Sequence, residues 1–199
     1  MKAVLCALLL LASAAVGSAA EWKRAELGWS YEFPRDHSIH EEFKTEWWYF
    51  TGNLTDASGR RFGYQLTFFR EGIMHPADRD PAMSRFVVGD LKFSHFTVTD
   101  VAGRQFRFEQ KTGRGAFGEA GYNDGDRIAW NGSWVLRLDA DDGVFHLTAD
   151  MPGAAIDLRV QTTKPPVIHG GDGLSRKAQG EGHASHYYSL TRMATSGSV

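Results

Sequence analysis

Residues 45–70 read TEWWYFTGNLTDASGRRFGYQLTFFR: two aromatic and β-branched runs separated by Asp56-Ala57-Ser58-Gly59. An Asx-type start followed by a Gly able to take positive φ makes a tight turn, so the stretch predicts a β-hairpin. Alternation with period two puts Glu46, Trp48 and Phe50 on one face of the first strand and Trp47, Tyr49 and Thr51 on the other. Both faces are aromatic, and the pattern alone leaves open which one points inward. In the second strand Tyr64, Leu66, Phe68 and Arg70 oppose Gly63, Gln65, Thr67 and Phe69.

Working outward, the same kind of run recurs while sustained 3.6-residue periodicity does not, which points to an all-β domain. The expected strands are Glu46 to Leu54, Arg61 to Arg70, Phe86 to Thr99, Gln105 to Lys111, Arg127 to Trp130, Trp134 to Asp139, Val144 to Ala149 and Ala155 to Gln161. Eight antiparallel strands with short turns suit a closed barrel, which removes exposed edges; an open two-sheet sandwich is the alternative. Glu71 to Ser84 reads as a longer loop over a barrel mouth. From Lys164 the composition turns to Gly, Pro and charge, and Ala184 to Met193 then resembles one more strand.

The N-terminus has a different character. Lys2, an apolar run from Val4 to Val16, and Ser18-Ala19-Ala20 before Glu21 read as an export signal. The mature chain is therefore expected to begin at Glu21, without a transmembrane span, and to work in the periplasm or outside the cell. The single cysteine, Cys6, lies inside that signal, which excludes disulfide and thiolate chemistry from the mature chain. Its place near the start of the chain, rather than after the apolar run, argues against lipidation. Losing the signal removes Lys2 and no acid, which moves the net charge from −2 to −3. No nucleic-acid partner is expected at that charge.

An apolar pocket with a few polar fixtures is the site this composition favours. Glu46 beside aromatics on an inner face would be a candidate general acid, against the plainer reading of a Glu paired with an Arg. Gln65 on an inward face would hold ligand or water; facing outward, it would be ordinary surface. Asp36-His37-Ser38-Ile39-His40-Glu41-Glu42 offers metal-ligand types, but the spacing matches no metal motif, and His40 reads better as a proton donor or orienting group at the pocket rim. His95 shares a face with Thr97 and Thr99, either as a core histidine or as a pocket acid or base. GxSxG, P-loop and GxGxxG motifs are absent, so neither a hydrolase nucleophile nor a nucleotide cofactor is indicated.

Taken in order, Asp36-His37 to His40, Glu46 to Leu54, Gly63 to Arg70, His95 to Asp100, and Lys164-Pro165-Pro166 to Ser189 resemble the AttH-like proteins. That group carries the label of secreted hydrolases and is related to the carotenoid 1,2-hydratases (hydroxyneurosporene synthases). The resemblance implies a lipocalin-like (calycin) antiparallel β-barrel, the first of two. Residues 1–20 would be the signal, 21–32 a lead-in, 33–163 the first barrel, and 164–199 a connector with the start of a second β domain. An exposed apolar patch is expected where a second barrel would pack.

Two functions follow. One is a periplasmic carrier of a lipid or isoprenoid that serves a membrane transporter. The other is a hydratase or hydrolase-like enzyme that uses no cofactor. For hydration of an isolated C=C, Glu46, His40 or His95 would give the proton. Trp47, Trp48 and Tyr64 would form a wall that stabilises a carbocation, and Gln65 would hold the water.

Overall fold

The computed structural model describes residues 19–170 and 173–199, so Cys6, nearly all of the signal-like segment, and Gly171 and Asp172 lie outside it. The described residues form fourteen strands and two short 3-10 turns. The first four strands are β1 (Thr45–Thr55), β2 (Arg61–Gly72), β3 (Asp90–Asp100) and β4 (Gln105–Gly113), paired in that order as an antiparallel meander. Next come β5 (Ala120–Asp124), β6 (Arg127–Asn131), β7 (Trp134–Asp139), β8 (Val144–Met151) and β9 (Ala154–Thr162). The short pieces β10 (Val167–Ile168), β11 (Leu174–Arg176), β12 (Ala184–His186) and β13 (Tyr188–Ser189) precede β14 (Met193–Ser198), which pairs antiparallel to β9. The second sheet therefore runs β14-β9-β8-β7-β6-β5.

Turn chemistry sets the register as the sequence implies. Asp56 Oδ1 accepts the Ser58 and Arg60 N–H groups at 2.8 and 3.0 Å, and Gly59 takes φ +83°. Thr55 then faces Arg61, and the whole hairpin pairs back to Thr45 opposite Glu71. Since the side-chain period is two, this register settles the question left open above. Glu46, Trp48, Phe50 and Leu54 point inward, while Tyr49, Thr51 and Asn53 point out.

The all-β expectation holds, but the barrel does not close. Hydrogen bonding stops between β4 and β5 and again between β1 and β14, leaving two sheets over one shared core. That core joins Leu66, Phe68 and Phe96 of the first sheet to Trp134, Leu136, Leu147, Leu158 and Val160 of the second. The Phe96 and Trp134 rings meet edge to face at 5.7 Å, and the indole N–H donates to Asp150 O at 2.7 Å. Burying such large side chains from both layers is the main stabilising term.

Four readings need correction. Residues 86–89 belong to the loop before β3, because Gly89 and Asp90 bind Arg79 and fix a bend there. Ala184 to Met193 is not one strand but two short pieces and the start of β14. The 73–89 loop contributes nothing to the cavity described below. Finally, β5 escaped notice because Ala120-Gly121-Tyr122-Asn123-Asp124 has one aromatic and no β-branched residue.

Candidate functional site

The two seams between the sheets are unlike each other, and the site lies at the open one. Along β1 and β14 a cavity of about 1070 Å³ runs between the sheets. Its wall includes Trp48 and Phe50 of β1, Tyr64 of β2, Phe145 of β8, and Met193 and Thr195 of β14. Two irregular segments cover it: residues 29–40, before β1, and 182–192, before β14. They are locked together by rings, with Tyr31 edge-on to Tyr188 at 5.4 Å and Trp29 stacked on His186 at 4.7 Å.

The buried Arg70 anchors the cover from below. Its guanidinium pairs with Asp90 at 2.9 Å and donates to the backbone carbonyls of Phe43 at 2.5 Å and Glu41 at 3.1 Å. A long cation held at three points fixes the chain immediately after His40. Arg79 gives Asp90 a second partner, also at 2.9 Å.

At one end of the cavity His40 sits between two carboxylates. Its Nδ1 is 2.7 Å from Glu46 Oε1 and its Nε2 is 3.3 Å from Asp36 Oδ1, while its backbone N–H donates to Glu46 Oε2 at 2.9 Å. The hydrogen bond to Glu46 is the largest cause holding the imidazole pKa above its ordinary value, and it outweighs burial, which acts the other way. Three residues earlier, His37 has the opposite environment. Its ring packs against Phe33 and Phe145, Nδ1 lies 2.8 Å from the Tyr188 hydroxyl, and burial pushes its pKa down to about 4 against a weaker upward pull from Asp36. Tyr188 in turn donates to Asp36 O at 3.2 Å, and burial raises its phenol pKa. Trp48 donates its indole N–H to His37 O at 2.8 Å and stacks on Tyr122 at 5.2 Å.

Of the residues singled out from sequence, the structure brings Glu46, His40, Trp48 and Tyr64 to this cavity, and Trp47 reaches it around the strand edge. Glu46 pairs with His40 rather than with an Arg. With both oxygens accepting hydrogen bonds, it is arranged unlike a free general acid. Tyr64 is buried at the floor, where burial raises its phenol pKa and Thr195 is its hydrogen-bond partner.

Gln65 and His95 lie elsewhere. In β2 and β3 the residues alternating with the buried Tyr64, Leu66, Ser94 and Phe96 face away from the core, and these two are among them. Gln65 donates to Thr67 Oγ1 at 3.3 Å, and His95 stands among Phe69, Phe93 and Phe108. That outer face also exposes Tyr49, Phe106 and Phe108. Sequence reasoning named His37 only within a metal-type cluster and missed Tyr188 and Phe145 as cavity residues. Among the described residues no three His, Cys, Asp or Glu side chains are grouped to hold a metal ion. The signal that could have found Tyr188 is the unusual pair Tyr187-Tyr188 within a Gly- and charge-rich stretch.

Comparison with known proteins agrees with this architecture. The AttH-like family matches residues 24–199, nearly all of the described chain. The chain belongs to the AttH-like family. A crystal structure from Nitrosomonas europaea, named for AttH, superposes on 85% of this chain with a TM-score of 0.73 at 29% sequence identity. The match takes in 49% of that protein, so the AttH-like chain described here spans about half the length of its solved relative. No curated protein matches the sequence.

Proposed function

We propose that this AttH-like chain is a carrier that holds a lipid or isoprenoid in the cavity between β1 and β14. What supports the reading is one observation: a cavity of about 1070 Å³, large enough for a drug-sized or lipid-like ligand, whose wall includes Trp48, Phe50, Tyr64, Phe145, Leu190 and Met193 and whose covered end holds Asp36, His37, His40 and Glu46. In this reading the signal-like residues 1–20 would direct the carrier to the periplasm or outside the cell, and a membrane transporter would be the partner that receives the ligand.

The second reading, acid-catalysed hydration, draws on His40, whose raised pKa would keep a proton available near neutral pH. Both ring nitrogens of His40 are already committed to carboxylates, and Gln65, the proposed holder of the water, points away from the cavity. Carriage is therefore the better supported of the two.

Incubating purified protein with a lipid and isoprenoid extract, followed by native mass spectrometry and analysis of the released ligand, separates them. A stoichiometric, unmodified ligand is the expected result. A product heavier by one water, lost in Glu46→Gln, would establish the hydratase instead.

A further inference from the structure

Most polar side chains at the covered end of the cavity are matched to one another. His40 uses both ring nitrogens on Glu46 and Asp36. Asp36 also takes Arg35 at 2.7 Å and the Glu32 N–H at 2.9 Å. Two groups stand apart: the Tyr31 hydroxyl, buried without a hydrogen-bond partner, and His37. His37 Nδ1 is engaged with Tyr188, but among the described residues His37 Nε2 has no partner, and it is not sealed off inside the protein.

The hydrogen-bond chain fixes what that nitrogen offers. Tyr188 O–H donates to the backbone carbonyl of Asp36, so the Tyr188 oxygen is left to accept, and His37 Nδ1 must be the protonated nitrogen. In the neutral ring Nε2 then carries a lone pair. The depressed pKa agrees with the neutral form, and the packing of Phe33 and Phe145 on the ring gives the physical cause. The carboxylates of Asp36 and Glu46 stand at the same end of the cavity. Of the cations that line the cavity, Lys23 pairs with Glu42, Arg24 with Glu181 and Lys44 with Glu71, while Arg192 in the cover makes no ion pair among the described residues. A ligand carboxylate placed against His37 would meet the like charge of Asp36 and Glu46, whereas a hydroxyl would find its acceptor.

We infer that His37 Nε2 accepts a hydrogen bond from a hydroxyl at the polar end of the ligand, so that the cavity selects a long-chain alcohol over the matching carboxylate. This rests on the carrier reading above and names the ligand class within it. It makes His37 a ligand-contacting residue and Tyr188 the residue that sets its tautomer.

The probes are dodecan-1-ol, its methyl ether and dodecanoate at pH 8, titrated calorimetrically into the full chain, into His37→Phe and into Tyr188→Phe. The alcohol should bind about tenfold more tightly than the ether, the effect of one well-made hydrogen bond, and more tightly than dodecanoate. His37→Phe should bring the alcohol to the level of the ether while leaving the ether unchanged. Tyr188→Phe, which frees the tautomer, should lower the preference severalfold, and it serves as the test if His37→Phe fails to fold. Equal binding of alcohol and ether, or tighter binding of dodecanoate, would overturn the inference while leaving the carrier reading in place. Failure of all three probes to bind would overturn both.

Discussion

The seam between β4 and β5 and the seam between β1 and β14 are both places where hydrogen bonding between the sheets stops, yet only one of them is open. At the closed seam the residues are small. Gly113 lies so close to Ala120 that an added Cβ would stand 2.8 Å from its methyl, and Asn131 bridges to Ser94 of the other sheet at 3.3 Å. At the open seam the facing residues are Trp48, Phe50, Phe145 and Met193, whose bulk holds the sheets apart, and two irregular segments close the gap. The difference teaches that side-chain size along two edges, rather than strand number, decides where a near-barrel keeps a ligand space.

The largest expected effect comes from releasing the cover. Arg70→Met leaves Asp90 short of its buried partner and the carbonyls of Phe43 and Glu41 without a donor, and should cost about 3–5 kcal/mol. Urea unfolding measures this, and amide exchange should show protection lost first near residues 37–44 rather than at the closed seam.

Acid should act on the open seam through His37. In the unfolded chain its pKa is about 6.5, while in the fold it is held down to about 4. Between these values the unfolded state takes up a proton that the folded state refuses, so stability falls as pH drops from about 6.5 toward 4, by up to about 3 kcal/mol. His40 has the opposite sign. Its pKa is raised, so its contribution is full below about 6.5 and is lost only as pH rises through the folded value. Stability against pH for His37→Phe should show a flatter acid limb than the parent and an unchanged alkaline one.

Bulk sharpens the comparison further. Gly113→Val pushes a branched side chain into the closed seam and should destabilise by about 1–3 kcal/mol, whereas Leu190→Trp has room in the open one and should cost less than about 1 kcal/mol. The second variant should nevertheless abolish ligand binding in titration. The smallest effects belong to the outer face: Gln65→Ala should change the unfolding free energy by no more than about 0.5 kcal/mol and leave ligand affinity unaltered.

The hairpin of β1 and β2 was legible because its signals are local: alternation, an Asx turn and a Gly at positive φ. So was the nearness of Glu46 and His40 to a pocket, since both flank the start of one strand. What stayed hidden depends on distance along the chain. Tyr188 reaches His37 across 151 positions, and that pairing comes from the path of the connector over the open seam. The inward or outward sense of Gln65 and His95 was hidden for a different reason. Both faces of their strands carry aromatics, and only the partner sheet determines which face is core. Closure of the barrel could not be read from strand count, because it turns on whether small residues happen to line both edges.

The central claim is that the open seam holds an apolar ligand, and quenching of Trp48 tests it most directly. A bromine-bearing twelve-carbon alcohol should quench saturably at one equivalent, and the quenched component should be absent in Trp48→Phe and in the cavity-filled Leu190→Trp. Quenching that rises without saturation, or that survives unchanged in Leu190→Trp, would contradict the claim.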